Sequence, residues 1–150
     1  KSKIMATTTA TITLASSDLL TDALSLSATT TLYKDASTAT GLDQVRMGRN
    51  EIATGTSFDL IDATAAGEDK SNWVYIINKS TDPTYYVIVS IYNKVIGRLY
   101  AGDWLFMPVG MGYGGGTAAK DDVEIQAYTG TNDIEWAMFH EGETLGTSGD

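Results

Sequence analysis

The sequence predicts an all-β fold: a β-sandwich or jelly roll of about eight antiparallel strands with an extended N-terminal arm. Three observations carry that expectation. Apolar and polar residues alternate with period two in several separate segments, as in Val123-Glu124-Ile125-Gln126-Ala127. Clusters of Gly, Asn, Asp, Ser and Pro punctuate the chain between those segments. No helical pattern of useful length intervenes. A closed small barrel is the alternative, since it too buries alternate residues.

The elements follow in order. The first forty residues hold eleven Thr, seven Ala and six Ser, the composition of a flexible arm or a Thr-rich strand surface. Within them, Thr11-Ile12-Thr13-Leu14 and Ala23-Leu24-Ser25-Leu26-Ser27 alternate as two weakly apolar strands. Ser17 or Asp18 could cap a short helical turn between them. Residues 33–55 read as a long polar connection with a strand near Gln44-Val45-Arg46-Met47, and Ser57-Phe58-Asp59-Leu60-Ile61 as a strand before a loop at 62–70. Trp73-Val74-Tyr75-Ile76-Ile77-Asn78 and Tyr85-Tyr86-Val87-Ile88-Val89-Ser90-Ile91 flank turn residues and predict an antiparallel hairpin. Val95–Leu99 is a further strand. Trp104-Leu105-Phe106-Met107 is another, with Pro108 as its stop. After a glycine-rich loop at 110–116, Val123–Tyr128 and Ile134–Phe139 predict a second hairpin. The division is therefore an arm over 1–22, a sandwich over 23–140 and a fraying tail over 141–150. Trp73, Ile76, Val87, Val89, Trp104, Phe106, Ile125 and Trp136 are the expected core.

Composition narrows the function. At 150 residues and 43% hydrophobic, the chain can build one core without crosslinks. Cys is absent, which removes disulfides and thiolate chemistry. The net charge is -9. Beyond Tyr100, Lys120 is the single basic side chain against nine acids. Such a field repels nucleic acid and anionic membranes, so neither is an expected partner. No apolar run reaches the length of a membrane span. Lys1-Ser2-Lys3-Ile4-Met5 runs into Ala6-Thr7-Thr8-Thr9 and not into the apolar stretch of a signal peptide.

Candidate chemistry is thin. His140 is the sole histidine, beside Glu141 at a strand end, and reads as a rim or interface residue. Gly112-Tyr113-Gly114-Gly115-Gly116 lacks the Lys-Ser/Thr and helix of a phosphate loop, and its glycines suit close approach of a neighbouring chain. Asp121, Asp122 and Glu124 lack calcium-loop spacing. Glu124 and Glu135 could flank a glycosidic bond, though Glu alternating on a strand is the ordinary solvent face. Trp73, Tyr85, Tyr86, Trp104 and Trp136 could line a sugar site or fill a core or subunit seam. The reading is a non-enzyme with no cofactor and no metal site.

Residues 70–140 resemble the small β-sandwich structural proteins of tailed bacteriophages, most closely capsid decoration (cement) proteins. The resemblance lies in Trp73-Val74-Tyr75-Ile76-Ile77-Asn78-Lys79, in Arg98-Leu99-Tyr100-Ala101-Gly102-Asp103-Trp104-Leu105-Phe106-Met107-Pro108, and in the two final alternating strands. It implies a virion protein on the outer capsid surface, bound to the major capsid protein and to itself, typically as a homotrimer, with an arm that holds the lattice. A carbohydrate-binding sandwich, or another head or tail fibre component, is the alternative. The interface residues expected on this reading are Lys1, Lys3, Ile4, Met5 and Ile12 of the arm, the basic pair Arg46 and Arg49, and Met111 and Tyr113 of the glycine-rich loop.

Overall fold

The computed structural model describes residues 7–34, 36–61, 71–91, 93–110 and 123–141. The expected loop at 62–70, most of the glycine-rich loop, the tail beyond Glu141 and the first six residues lie outside that set. The described chain is all-β and antiparallel, with ten strands: β1 (Thr9–Ser16), β2 (Leu24–Thr31), β3 (Gln44–Ile52), β4 (Ser57–Ile61), β5 (Ser71–Asn78), β6 (Tyr86–Ile91), β7 (Lys94–Tyr100), β8 (Trp104–Gly110), β9 (Val123–Thr129) and β10 (Asn132–His140).

Eight of these form two four-stranded sheets, in the orders β3-β10-β5-β8 and β4-β9-β6-β7. The pairing is nested. β6 pairs with β7, β5 with β8, β4 with β9 and β3 with β10, and the two sheets are completed by β10 with β5 and β9 with β6. Within these sheets only β6 and β7 are successive strands that pair. Their tight turn places Asn93 at a positive φ of 56°, a conformation Asn tolerates better than most residues. Both hairpins expected from the sequence are therefore corrected. β5 and β6 belong to different sheets, as do β9 and β10, so each turn carries the chain from one layer to the other.

The two sheets bury one core. Ile52, Val74, Ile76, Val109, Ile134 and Met138 come from the first sheet, and Leu60, Val87, Val89, Leu99, Val123, Ile125 and Ala127 from the second. Of the expected core residues, Ile76, Val87, Val89 and Ile125 are fully buried, and Trp136 packs against the cluster. Trp73, Trp104 and Phe106 are corrections. On β8, Leu105, Met107 and Val109 face inward, so Trp104, Phe106 and Pro108 face outward. On β5 the buried set is Asn72, Val74, Ile76 and Asn78, which turns Trp73 outward to stack on Phe106, ring centroids 5.1 Å apart. Pro108 does not stop β8, which runs to Gly110. It sits in an edge strand with one neighbour, where a missing N–H is tolerated.

Polar groups bind the layers together at one end. Asn78 and Asn132 are wholly buried. Asn78 Nδ2 donates to the Leu99 carbonyl across the sandwich at 3.0 Å, and its Oδ1 accepts from Ser80 N. Asn132 Nδ2 donates to the Thr129 and Gly130 carbonyls, closing the turn between β9 and β10.

β1 and β2 form a separate two-stranded sheet, paired from Thr9↔Thr31 to Ser16↔Leu24. They make no extensive contact with the other strands. β2 thus pairs with β1 and with neither four-stranded sheet, although the sequence reading grouped it with the sandwich. Between them the chain bends without a helical turn, held by Ser16 Oγ accepting from Leu19 N at 3.1 Å.

Candidate functional site

Three uncovered sheet surfaces stand out. The first is the β1–β2 hairpin. Its register puts Ile12 opposite Ala28, Leu14 opposite Leu26 and Ser16 opposite Leu24 on one face. The other face is Thr and Ser apart from Ala15, with Thr11 and Thr29 hydroxyls 3.0 Å apart. The aliphatic face is open: Leu14 is 51% exposed and Leu26 54%. Leu19 and Leu20 at the tip are exposed as well. An isolated two-stranded sheet is only marginally stable in water, so an apolar face of this kind calls for a covering surface.

The outer face of the first sheet is the second. Cross-strand pairing aligns Val45, Phe139, Trp73 and Pro108 in one row and Met47, Ala137, Tyr75 and Phe106 in the next. A third row holds Arg49, Glu135, Ile77 and Trp104. Val45, Met47 and Trp104 are half or more exposed. Arg49 donates from Nε to Asp133 Oδ1 at 2.8 Å and pairs with the same carboxylate through Nη2. That bidentate bond holds the Asp133 carboxyl below its ordinary value, against a smaller opposing effect of desolvation.

The third surface is the outer face of the second sheet. Tyr128 on β9, Tyr86 on β6 and Tyr100 on β7 lie in a row across three adjacent strands. Tyr86 stacks with Tyr128 at 5.5 Å and 21°, and meets Tyr100 at 5.0 Å and 44°. The Arg98 guanidinium lies 4.8 Å over the Tyr86 ring. Tyr100 is 39% exposed and Tyr128 57%. The rings are held from behind. Tyr86 N donates to Thr129 Oγ1, Thr129 Oγ1 donates to the Thr84 carbonyl, and Tyr100 N donates to Asp103 Oδ2.

Of the interface residues named from the sequence, Ile12 lies on the aliphatic hairpin face. Arg49 lies on the outer face of the first sheet with its fork committed to Asp133. Arg46 is exposed on β3. Lys1, Lys3, Ile4, Met5, Met111 and Tyr113 lie outside the described residues. Leu14, Leu26 and Met47, exposed on these faces, were not named as interface residues from the sequence, whereas Trp104 was named for a sugar site, core or subunit seam. Leu14 and Leu26 could have been found by pairing the two alternating segments with each other, which places their apolar faces together.

The catalytic options are narrowed by topology. Glu124 and Glu135 sit on the outer faces of different sheets, so they cannot flank one bond. His140 Nδ1 donates to the Glu141 carbonyl, 2.9 Å away. Among the described residues no group of three or more His, Asp and Glu could hold a metal ion, and no helix is long and apolar enough to cross a membrane. Comparison of the chain with protein-family models, with curated proteins and with solved structures finds no match.

Proposed function

We propose that this chain is a virion structural protein, a capsid decoration protein of a tailed bacteriophage that braces the outer surface of the lattice. The observation that carries the reading is the β1–β2 hairpin with its uncovered aliphatic face. A surface of that kind is built to be buried by another protein. The nested pairing of β3 through β10 supports a jelly-roll reading of the sandwich, an architecture used by viral capsid and lectin domains alike, so the fold is compatible with the proposal without selecting it. The mechanism is area burial: at roughly 25 cal/mol per Å² of apolar surface, modest contacts repeated by symmetry add up over a shell. The hairpin reaches the major capsid protein, and the apolar outer face of the first sheet, around Val45, Met47 and Trp104, packs against sister copies in a homotrimer.

The test is co-sedimentation with shells of the encoding virus assembled without this chain. The native protein is expected to bind at a fixed ratio to capsid subunits. Leu14→Asp with Leu26→Asp is expected to abolish binding while circular dichroism stays sheet-like. Failure of the native protein to bind shells, or full binding by the double variant, rejects the reading.

A further inference from the structure

The row of tyrosines on the second sheet has no role in lattice binding through the hairpin, and its chemistry points elsewhere. Tyr86, Tyr100 and Tyr128 present faces and edges of aromatic rings on a rigid sheet rather than on loops, so little ordering is needed to use them. Two of the three are substantially solvent-exposed. An amphipathic ring with a phenolic hydroxyl suits a ligand that is itself apolar on one face and hydroxylated at its edge.

The second observation is the charge of Arg98. The chain carries ten basic side chains and nineteen acids. Arg49 and Lys34 are ion-paired. Arg98 instead sits among Tyr86, Tyr100 and Tyr128, and those neighbours raise its pKa further, hydrogen bonding to Tyr100 first. Among the described residues it has no carboxylate partner. Its guanidinium therefore lies over the Tyr86 ring with no carboxylate partner among the described residues, and a carboxylate matches that fork in shape and sign. Glu124 and Asp59 lie further along the same outer face, and the net charge is -9. A polyanion such as nucleic acid would meet that field at every residue, whereas a ligand with one carboxylate needs only the local match.

We propose that the Tyr86–Tyr100–Tyr128 row with Arg98 is a binding site for a glycan bearing a single carboxylate, a pyranose stacked on the rings with its acid group on Arg98. This site is independent of the hairpin, and either assignment can fail without the other.

The experiment is an amide-shift titration of the full chain by nuclear magnetic resonance with a glucuronic acid-containing disaccharide, and in parallel with the matching neutral glucose disaccharide. The acidic sugar is expected to shift the amides around Tyr86, Arg98, Tyr100 and Tyr128 and to bind about tenfold more tightly than the neutral one, a difference of about 1.4 kcal/mol. Arg98→Gln is expected to erase that preference and leave weak neutral binding. Tyr128→Ala, at an exposed position, is expected to weaken both sugars without lowering the melting temperature. Equal binding of the two sugars, shifts confined to another surface, or no shift at millimolar sugar overturns the proposal.

Discussion

Asn78 Nδ2 donates a 2.9 Å hydrogen bond to Asn132 Oδ1 with both side chains fully buried. The same Nδ2 donates to the Leu99 carbonyl of the opposite sheet, so one amide connects β5, β7 and β10. In a low-dielectric interior each of these bonds is costly to leave unmade. Asn132→Ala strips the acceptor from Asn78 and the donor from the Thr129 and Gly130 carbonyls. The expected loss is about 2–3 kcal/mol of unfolding free energy in urea. A loss under about 0.5 kcal/mol would show that water replaces the amide without penalty.

Gly48 lies beneath the indole of Trp136, where an added Cβ would come within 2.7 Å of Cζ2. Trp136 cannot easily give way. Its Nε1 donates to Asn50 Oδ1 at 2.9 Å, and its ring meets Phe58 from the facing sheet. Gly48→Ala is therefore expected to cost about 1–3 kcal/mol, the usual range for overpacking a core, and to shift the tryptophan emission. Unchanged stability would mean that the indole swings out at little cost.

Phe106→Ala tests the facing of β8. Phe106 stacks on Trp73 outside the core, so the expected cost is about 1 kcal/mol, against about 2–5 kcal/mol for Ile76→Ala at a closed site. Equal losses would reverse the assignment of faces.

That strand also shows where the sequence stops being informative. Trp104 to Met107 is apolar at every position, so alternation carries no parity, and Leu105 and Met107 offer a face as apolar as the expected one of Trp104 and Phe106. Val123 to Ala127 alternates cleanly, and its inward residues were legible. Strand positions were legible for the same reason: turn residues and alternation are local. Partners are not. Asn78–Pro83 and Gly130–Asn132 look like hairpin turns, yet both carry the chain between sheets, because the nested pairing joins strands such as β3 and β10 that are far apart in sequence. Tyr86 and Tyr100 meet across the local β6–β7 hairpin, but Tyr128 joins their row through the long-range β6–β9 pairing, which leaves no local signal.

Asp133 supplies a pH test. Its carboxyl is held below the ordinary 3.8 chiefly by the Arg49 hydrogen bonds. A depressed carboxylate adds stability that is complete above 3.8 and lost as the pH falls through its folded value. Arg49→Met is expected to move the Asp133 carboxyl titration, followed by nuclear magnetic resonance, back up toward 3.8, and to remove this group's share of the stability that is lost in acid. An unmoved midpoint would assign the depression to something other than Arg49.

The hairpin gives the last prediction. The strands Thr9–Ser16 and Leu24–Thr31 pair with each other, whereas Leu32 is fully buried and its N–H donates to the Thr8 carbonyl at 2.9 Å. Deleting residues 1–31 therefore removes a unit that supplies no residue to the two-sheet core cluster; Leu32 loses the Thr8 carbonyl but keeps its own carbonyl's bond from Leu42 N. Removing only residues 1–13 would instead leave most of β2 as an unpaired edge, an invitation to aggregation. The 1–31 deletion is expected to shift the melting temperature by less than about 5 °C, equivalent to about 1–2 kcal/mol for a domain of this size, while shell binding falls at least tenfold. That tenfold, about 1.4 kcal/mol, is a small demand on a face carrying Ile12, Leu14 and Leu26, since one fully buried Leu contributes about 1.5–3 kcal/mol. Collapse of the truncated chain would make the hairpin part of the folding unit. Undiminished binding to shells would leave its open aliphatic face without the partner assigned to it.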